Sequence, residues 1–138
     1  VIEQVKPDLL QFHGDESPSF CQQFDVPFIR AIRMREGLNI EAEVREYKAA
    51  GGVLFDAWSE DQYGGTGHQF DWSRLPRADA MPEGSPLILA GGLTPDNVAD
   101  AVRRVGPNMV DVSGGVESAP GFKDVTKVTT FIYNAKNA

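Results

Sequence analysis

"LILAGGLTPDNVADAVRRVG", residues 87–106, decides the fold class. Four apolar residues, Leu87 to Ala90, run straight into a glycine pair, and an amphipathic segment follows. Apolar positions without polar alternation fit a strand buried on both faces, as in a parallel sheet. Thr94 reads as the N-cap of the next helix, with Pro95 in its first turn and Asp96 near its positive end. Val98, Ala101, Val102 and Val105 recur at helical spacing, and Gly106-Pro107 ends the helix. The unit is therefore strand, glycine turn, helix.

Outward from it the same alternation repeats. Leu9 to Phe12, Phe28 to Ile32, Val53 to Phe55 and Met109 to Val112 read as further strands. Ser17 caps a helix that opens on Pro18 and carries Phe20 and Phe24 on one face. Ile40, Val44 and Tyr47 mark another helix, closed by Gly51 or Gly52. Asp71 reads as the cap of a short helix, and Phe122 to Asn134 as the closing helix, with Val125, Val128 and Ile132 on its buried side. Five strands alternating with helices predict one domain, residues 1–138, built on a parallel α/β sheet.

Composition narrows the function. The 138 residues carry a formal charge of −7, which disfavours nucleic acid as a partner. No apolar run reaches the roughly 18 residues of a membrane span. One cysteine, Cys21, excludes an internal disulfide and fits the cytoplasm. Cys21 lies between phenylalanines in a helix and reads as a small buried hydrophobe rather than a nucleophile. With His13 and His68 far apart, no metal-ligand spacing is present. The chain opens Val-Ile-Glu without methionine, which suits a processed chain or a fragment.

Chemistry is expected where the strands end. His13, Arg33, Asp56, Gly91 and Asp111 fall at or just beyond strand C-termini, the ligand-binding end of α/β sheets and barrels. Asp56 is followed by "SEDQYGGTG", a loop able to close over a ligand. A carboxyl group shielded there suits general acid catalysis. Gly64 to Gly67 match neither a Walker motif nor a dinucleotide fingerprint. "LAGGLTPDN" and "DVSGGVESAPG" place glycines after two successive strands. Gly91, Gly92, Ser113 and Gly114 can form a phosphate cradle there, with Gly115 to Ser118 as a short extra turn. Neither turn contains lysine or arginine, so backbone N–H groups are expected to supply the attraction.

At "LLQFHGDE", "LFDAW…GGTGHQFDW", "LAGGLTPDNV" and "VDVSGGVE…PGFKD" the sequence resembles the phosphoribosylanthranilate isomerases of tryptophan biosynthesis. The resemblance spans essentially the whole chain in order. It implies a (β/α)8 TIM barrel, here incomplete with about five strands (family strands 4 to 8), that needs no cofactor and performs an Amadori rearrangement of a phosphosugar. On that resemblance Asp56 is the general acid, Gly91, Gly92, Ser113 and Gly114 bind phosphate, and His13 and Asp111 face the substrate. Two departures stand out. Gly114 replaces a serine usual in the family. The family's base, a cysteine on the first strand, and an arginine that holds the anthranilate carboxylate have no counterpart here. The 138 residues by themselves are thus expected to be inactive and to self-associate through exposed strand edges. Other readings are a non-catalytic phosphate-binding half-barrel and another phosphosugar barrel enzyme, such as indole-glycerol-phosphate synthase.

Overall fold

The structure, a computed structural model, describes residues 1–57 and 72–138. The expected cap at Asp71, the Gly64–Gly67 loop and His68 lie outside the described residues. Five parallel strands form one sheet in chain order: β1 (Leu10–Phe12), β2 (Phe28–Arg33), β3 (Val53–Asp56), β4 (Leu87–Ala90) and β5 (Met109–Val110). The architecture is α/β, as the strand pattern predicts. A four-residue helix, α1 (Ile2–Val5), precedes the sheet.

Parallel pairing requires each strand to return by a crossover. Crossover helices α2 (Pro18–Gln22), α3 (Ile40–Glu46) and α4 (Val98–Val105), together with α5 (Val125–Lys136) after the last strand, cover one sheet face. Strand residues of one parity, among them Ile32, Val53, Phe55, Leu87 and Leu89, pack with Val98, Ala101 and Val105 of α4 and Phe131 of α5. The other parity, Ala31, Leu54, Ile88 and Ala90, forms a second apolar layer on the opposite face. Burial on both sides explains the unbroken apolar runs. Each fully buried Leu, Val or Phe contributes about 1.5–3 kcal/mol, so the two layers carry much of the stability.

Local chemistry sets the boundaries. Ser17 Oγ accepts from the Phe20 N–H at 3.2 Å, the expected cap. Asn39 caps α3 by accepting from the Ala42 N–H at 3.0 Å. That helix stops at Glu46, before Gly51, because Tyr47 to Ala50 turn to return the chain to β2. The Ala50 N–H donates to Tyr47 O at 2.8 Å, and Gly51 N–H to Phe28 O at 2.8 Å.

Three further boundaries differ from the sequence expectation. Thr94 does not cap α4, which begins four residues later at Val98. The Asn97 amide accepts from the Thr94 N–H at 2.8 Å and donates to Gly92 O at 3.0 Å, folding residues 94–97 into a turn of their own. The last strand stops at Val110, although the Asp111 N–H still reaches Leu89 O at 2.8 Å. Phe122 is not helical: β6 (Glu117–Ala119) and β7 (Phe122–Lys123) form an antiparallel hairpin turned at Pro120-Gly121, with Gly121 at φ 83°. Asp124 then caps α5, accepting from the Lys127 N–H at 3.0 Å. Phe131, flanked by Val128 and Ala135, makes the buried side of α5, while Val125 is 80% exposed and Ile132 48%.

Candidate active site

Parallel register places the strand ends in a row. Arg33 is level with Asp56, and Asp56 with Ala90. The backbone continues this row past the strands: Met34 N–H donates to Asp56 O at 3.0 Å and Ala57 N–H to Ala90 O at 2.9 Å. Alternation along a strand sets the side-chain face. Arg33 shares parity with Ala31, and Asp56 with Leu54, so both belong to the face not covered by helices. Asp56 is half-buried and Arg33 exposed. His13 follows β1 and Asp111 follows β5, both exposed. All five strand-end residues from the sequence reading therefore sit at one edge of one sheet.

The glycine turns are adjacent and interlocked. Gly91 and Gly92 take φ values of 83° and 66°, a region that disfavours side chains with a Cβ. Gly115 presses against the backbone of the neighbouring turn, where a Cβ would overlap the Leu93 carbonyl oxygen. Gly114 has open space instead, with nothing within 4 Å of a built Cβ. A serine would fit there, so nothing in the packing requires glycine at this position. The short turn expected at Gly115 to Ser118 is a 3-10 turn over Gly114–Val116, and Glu117 and Ser118 instead begin the β6–β7 hairpin.

One residue near these turns escaped the sequence reading. Lys123, on β7, donates from Nζ to Ser113 O at 2.9 Å, Ser113 Oγ at 3.3 Å and Glu117 Oε1 at 2.7 Å. This Lys123 bond is the leading cause that holds the Glu117 carboxyl below the usual glutamate range. The signal was available: a Pro-Gly pair between two short extended segments marks a hairpin that folds Lys123 back.

Other conspicuous groups lie away from this edge. Cys21 is fully buried beside Phe28 and Tyr47, and its burial pushes the thiol pKa up, so it packs as a hydrophobe. Arg30 is buried on the helix-covered face, its guanidinium 4.4 Å from the Tyr47 ring centroid and 3.0 Å from Glu16 Oε2. Between α3 and the loop entering β4 lies a cleft of about 450 Å³, lined by Ile40, Val44, Arg45, Met81 and Pro82. It opens on the helix side and shares none of the strand-end residues. Among the described residues, no group of three His, Cys, Asp or Glu could hold a metal ion, and no helix is long and apolar enough to cross a membrane.

Sheet and turns together define a parallel α/β protein, a class in which ligands bind at the C-terminal ends of the strands. The comparisons make that class specific. The family model described as N-(5'phosphoribosyl)anthranilate (PRA) isomerase matches residues 1–134. The N-(5'-phosphoribosyl)anthranilate isomerase of Chromohalobacter salexigens is 53% identical over 125 residues, which are 91% of this chain and 57% of that protein. Crystal structures agree: the phosphoribosyl anthranilate isomerase of Thermotoga maritima superposes with a TM-score of 0.81 at 36% identity, over 99% of this chain and 65% of its own. A second, solved with reduced 1-(o-carboxyphenylamino)-1-deoxyribulose 5-phosphate, gives 0.77 at 33% identity, over 99% of this chain and 63% of its own. The chain belongs to the PRA isomerase family, and it spans about three fifths of the length of these relatives.

Proposed function

We propose that this chain supplies the general acid and the phosphate site of a phosphoribosylanthranilate isomerase acting in the cytoplasm. The observation that carries this reading is the shared strand-end row, with Asp56 central and two interlocked glycine turns beside it. Asp56 donates its proton to the furanose ring oxygen, and the C1′–O bond breaks to leave a Schiff base. A base then removes the C2′ proton, giving the enolamine, which tautomerises to the ketose product. Gly91, Gly92, Ser113 and Gly114 hold the phosphate, with His13 and Asp111 lining the rest of the substrate. The ligand named for the related crystal structure carries a phosphosugar of this kind.

The base is the missing element of this machinery. Within the 138 residues the one cysteine is Cys21, fully buried in α2 among Phe28, Tyr47 and Phe12. By themselves these residues do not complete the reaction. Among the described residues β1 is bonded only to β2 and β5 only to β4, with Leu9 51% and Met109 60% exposed. Such edges pair with further chains. An isomerase assay and light scattering test both points, using this chain alone and fused behind the N-terminal segment of a relative. The chain alone is expected to be inactive and associated, the fusion active and less associated. Full activity from the chain alone would remove the missing-base argument, and an inactive, folded fusion would count against the isomerase reading.

A further inference from the structure

We infer that Lys123 is the positioning residue of the phosphate turn, holding Ser113 as a hydrogen-bond donor and cancelling the charge of Glu117 beside the anion. The inference rests on the proposed phosphate site and adds to it a residue from outside both turns. An ammonium group has three N–H donors, and here each has an acceptor: Ser113 O, Ser113 Oγ and Glu117 Oε1. Because Ser113 Oγ accepts from Lys123, its own hydroxyl proton is directed elsewhere. Ser113 is exposed, so that proton is available to an incoming phosphate oxygen.

The charge balance needs such a group. The chain is acidic overall, with a formal charge of −7, and the local sequence places Asp96, Asp111 and Glu117 in or beside the two turns. A phosphate bound among them meets like charges, which backbone N–H groups offset only in part. Lys123 is paired directly across the hairpin from Glu117, so β6–β7 delivers a cation to a turn that has none in its own sequence. A second lysine anchors the same hairpin from α5: Lys127 Nζ donates to Glu117 O at 2.6 Å. That bond leaves the Glu117 carboxylate to Lys123. A hairpin ion pair with no link to the ligand is the competing account, and the two differ in what Glu117 does.

Inorganic phosphate titrated into the isotope-labelled chain, followed by backbone amide NMR, separates them. Wild type is expected to shift at Gly91, Gly92, Ser113 and Gly114. Lys123→Met should raise the Kd for phosphate about tenfold, the loss of one charge-assisted hydrogen bond, and Lys123→Arg should recover most of it. Glu117→Gln removes the negative charge but keeps the cation, so it should bind phosphate more tightly than wild type, whereas a hairpin ion pair with no link to the ligand leaves the Kd unchanged. If Lys123→Met fails to fold, Glu117→Gln still decides. An unchanged or weaker affinity in Glu117→Gln, or an unchanged Kd in a folded Lys123→Met, overturns the role of Lys123 while leaving the site standing. Absence of phosphate-induced shifts at both turns in wild type overturns the site itself.

Discussion

Arg30 and Arg33 stand three residues apart on β2, and an odd spacing in a strand sends them to opposite faces. Arg30 enters the helix-covered side and is buried there. Its guanidinium donates to Glu16 Oε2 at 3.0 Å and Gly14 O at 2.7 Å and lies over the Tyr47 ring, whose hydroxyl donates to Glu16 O at 2.7 Å. Arg33 ends the strand level with Asp56, exposed, and its side chain makes no hydrogen bond or ion pair with the described residues. The same residue type is structural at one position and free for a ligand three residues later. What separates them is parity and distance from the strand end.

This contrast predicts unequal effects of removing each charge. Arg30→Met should lower stability by about 2 kcal/mol, because it leaves Gly14 O without its side-chain donor and Glu16 without its cation. For a domain of this size that is a fall in Tm of several degrees, readable by thermal denaturation. Arg33→Met should change stability by less than about 0.5 kcal/mol, as exposed substitutions usually do. Equal losses in both variants would break the comparison.

A smaller effect follows from Glu16. Its own backbone N–H, helped by Gly14 N–H at 2.8 Å and by Arg30, holds its carboxyl below the ordinary 4.5 despite some opposing burial. A carboxylate whose pKa is lower folded than unfolded stabilises the fold fully above the unfolded value. That contribution disappears as pH falls through the folded one. Stability should therefore decline from about pH 4.5 downward, and Glu16→Gln should flatten that decline while lowering stability near neutrality. Denaturant midpoints measured between pH 3 and pH 7, a range set around the ordinary carboxylate pKa, check it. An unchanged acid limb in Glu16→Gln would show that Glu16 is not the group responsible.

Legibility followed the same division. The strands at 28–33, 53–56 and 87–90 were readable because burial on both faces writes an unbroken apolar run. The strand-end residues followed, since the active end of a parallel sheet is known once the strands are. Arg30 was not legible, because a charged residue within an apolar run gives no sign of the partners that neutralise it. Glu16 and Tyr47 reach it from 14 and 17 residues away. The late start of α4 was hidden because Thr94-Pro95-Asp96 is a proper helix opening in isolation. The Asn97 amide, bonded to Thr94 and Gly92, overrides it. Lys123 was missed for a related reason: Phe122 and Lys123 read as the start of the closing helix, which in fact begins at Val125 after the hairpin strand they form.

The central claim is that Asp56 provides the proton that opens the ring. Steady-state isomerase kinetics of Asp56→Asn, in the active fusion described above, test it most directly. Asparagine keeps the size and polarity of the side chain but has no acidic proton to give. The account predicts a fall in kcat of about 10²–10⁴-fold, with KM changed by much less, since the phosphate turns are untouched. A kcat near the wild-type value in a folded Asp56→Asn protein would contradict it.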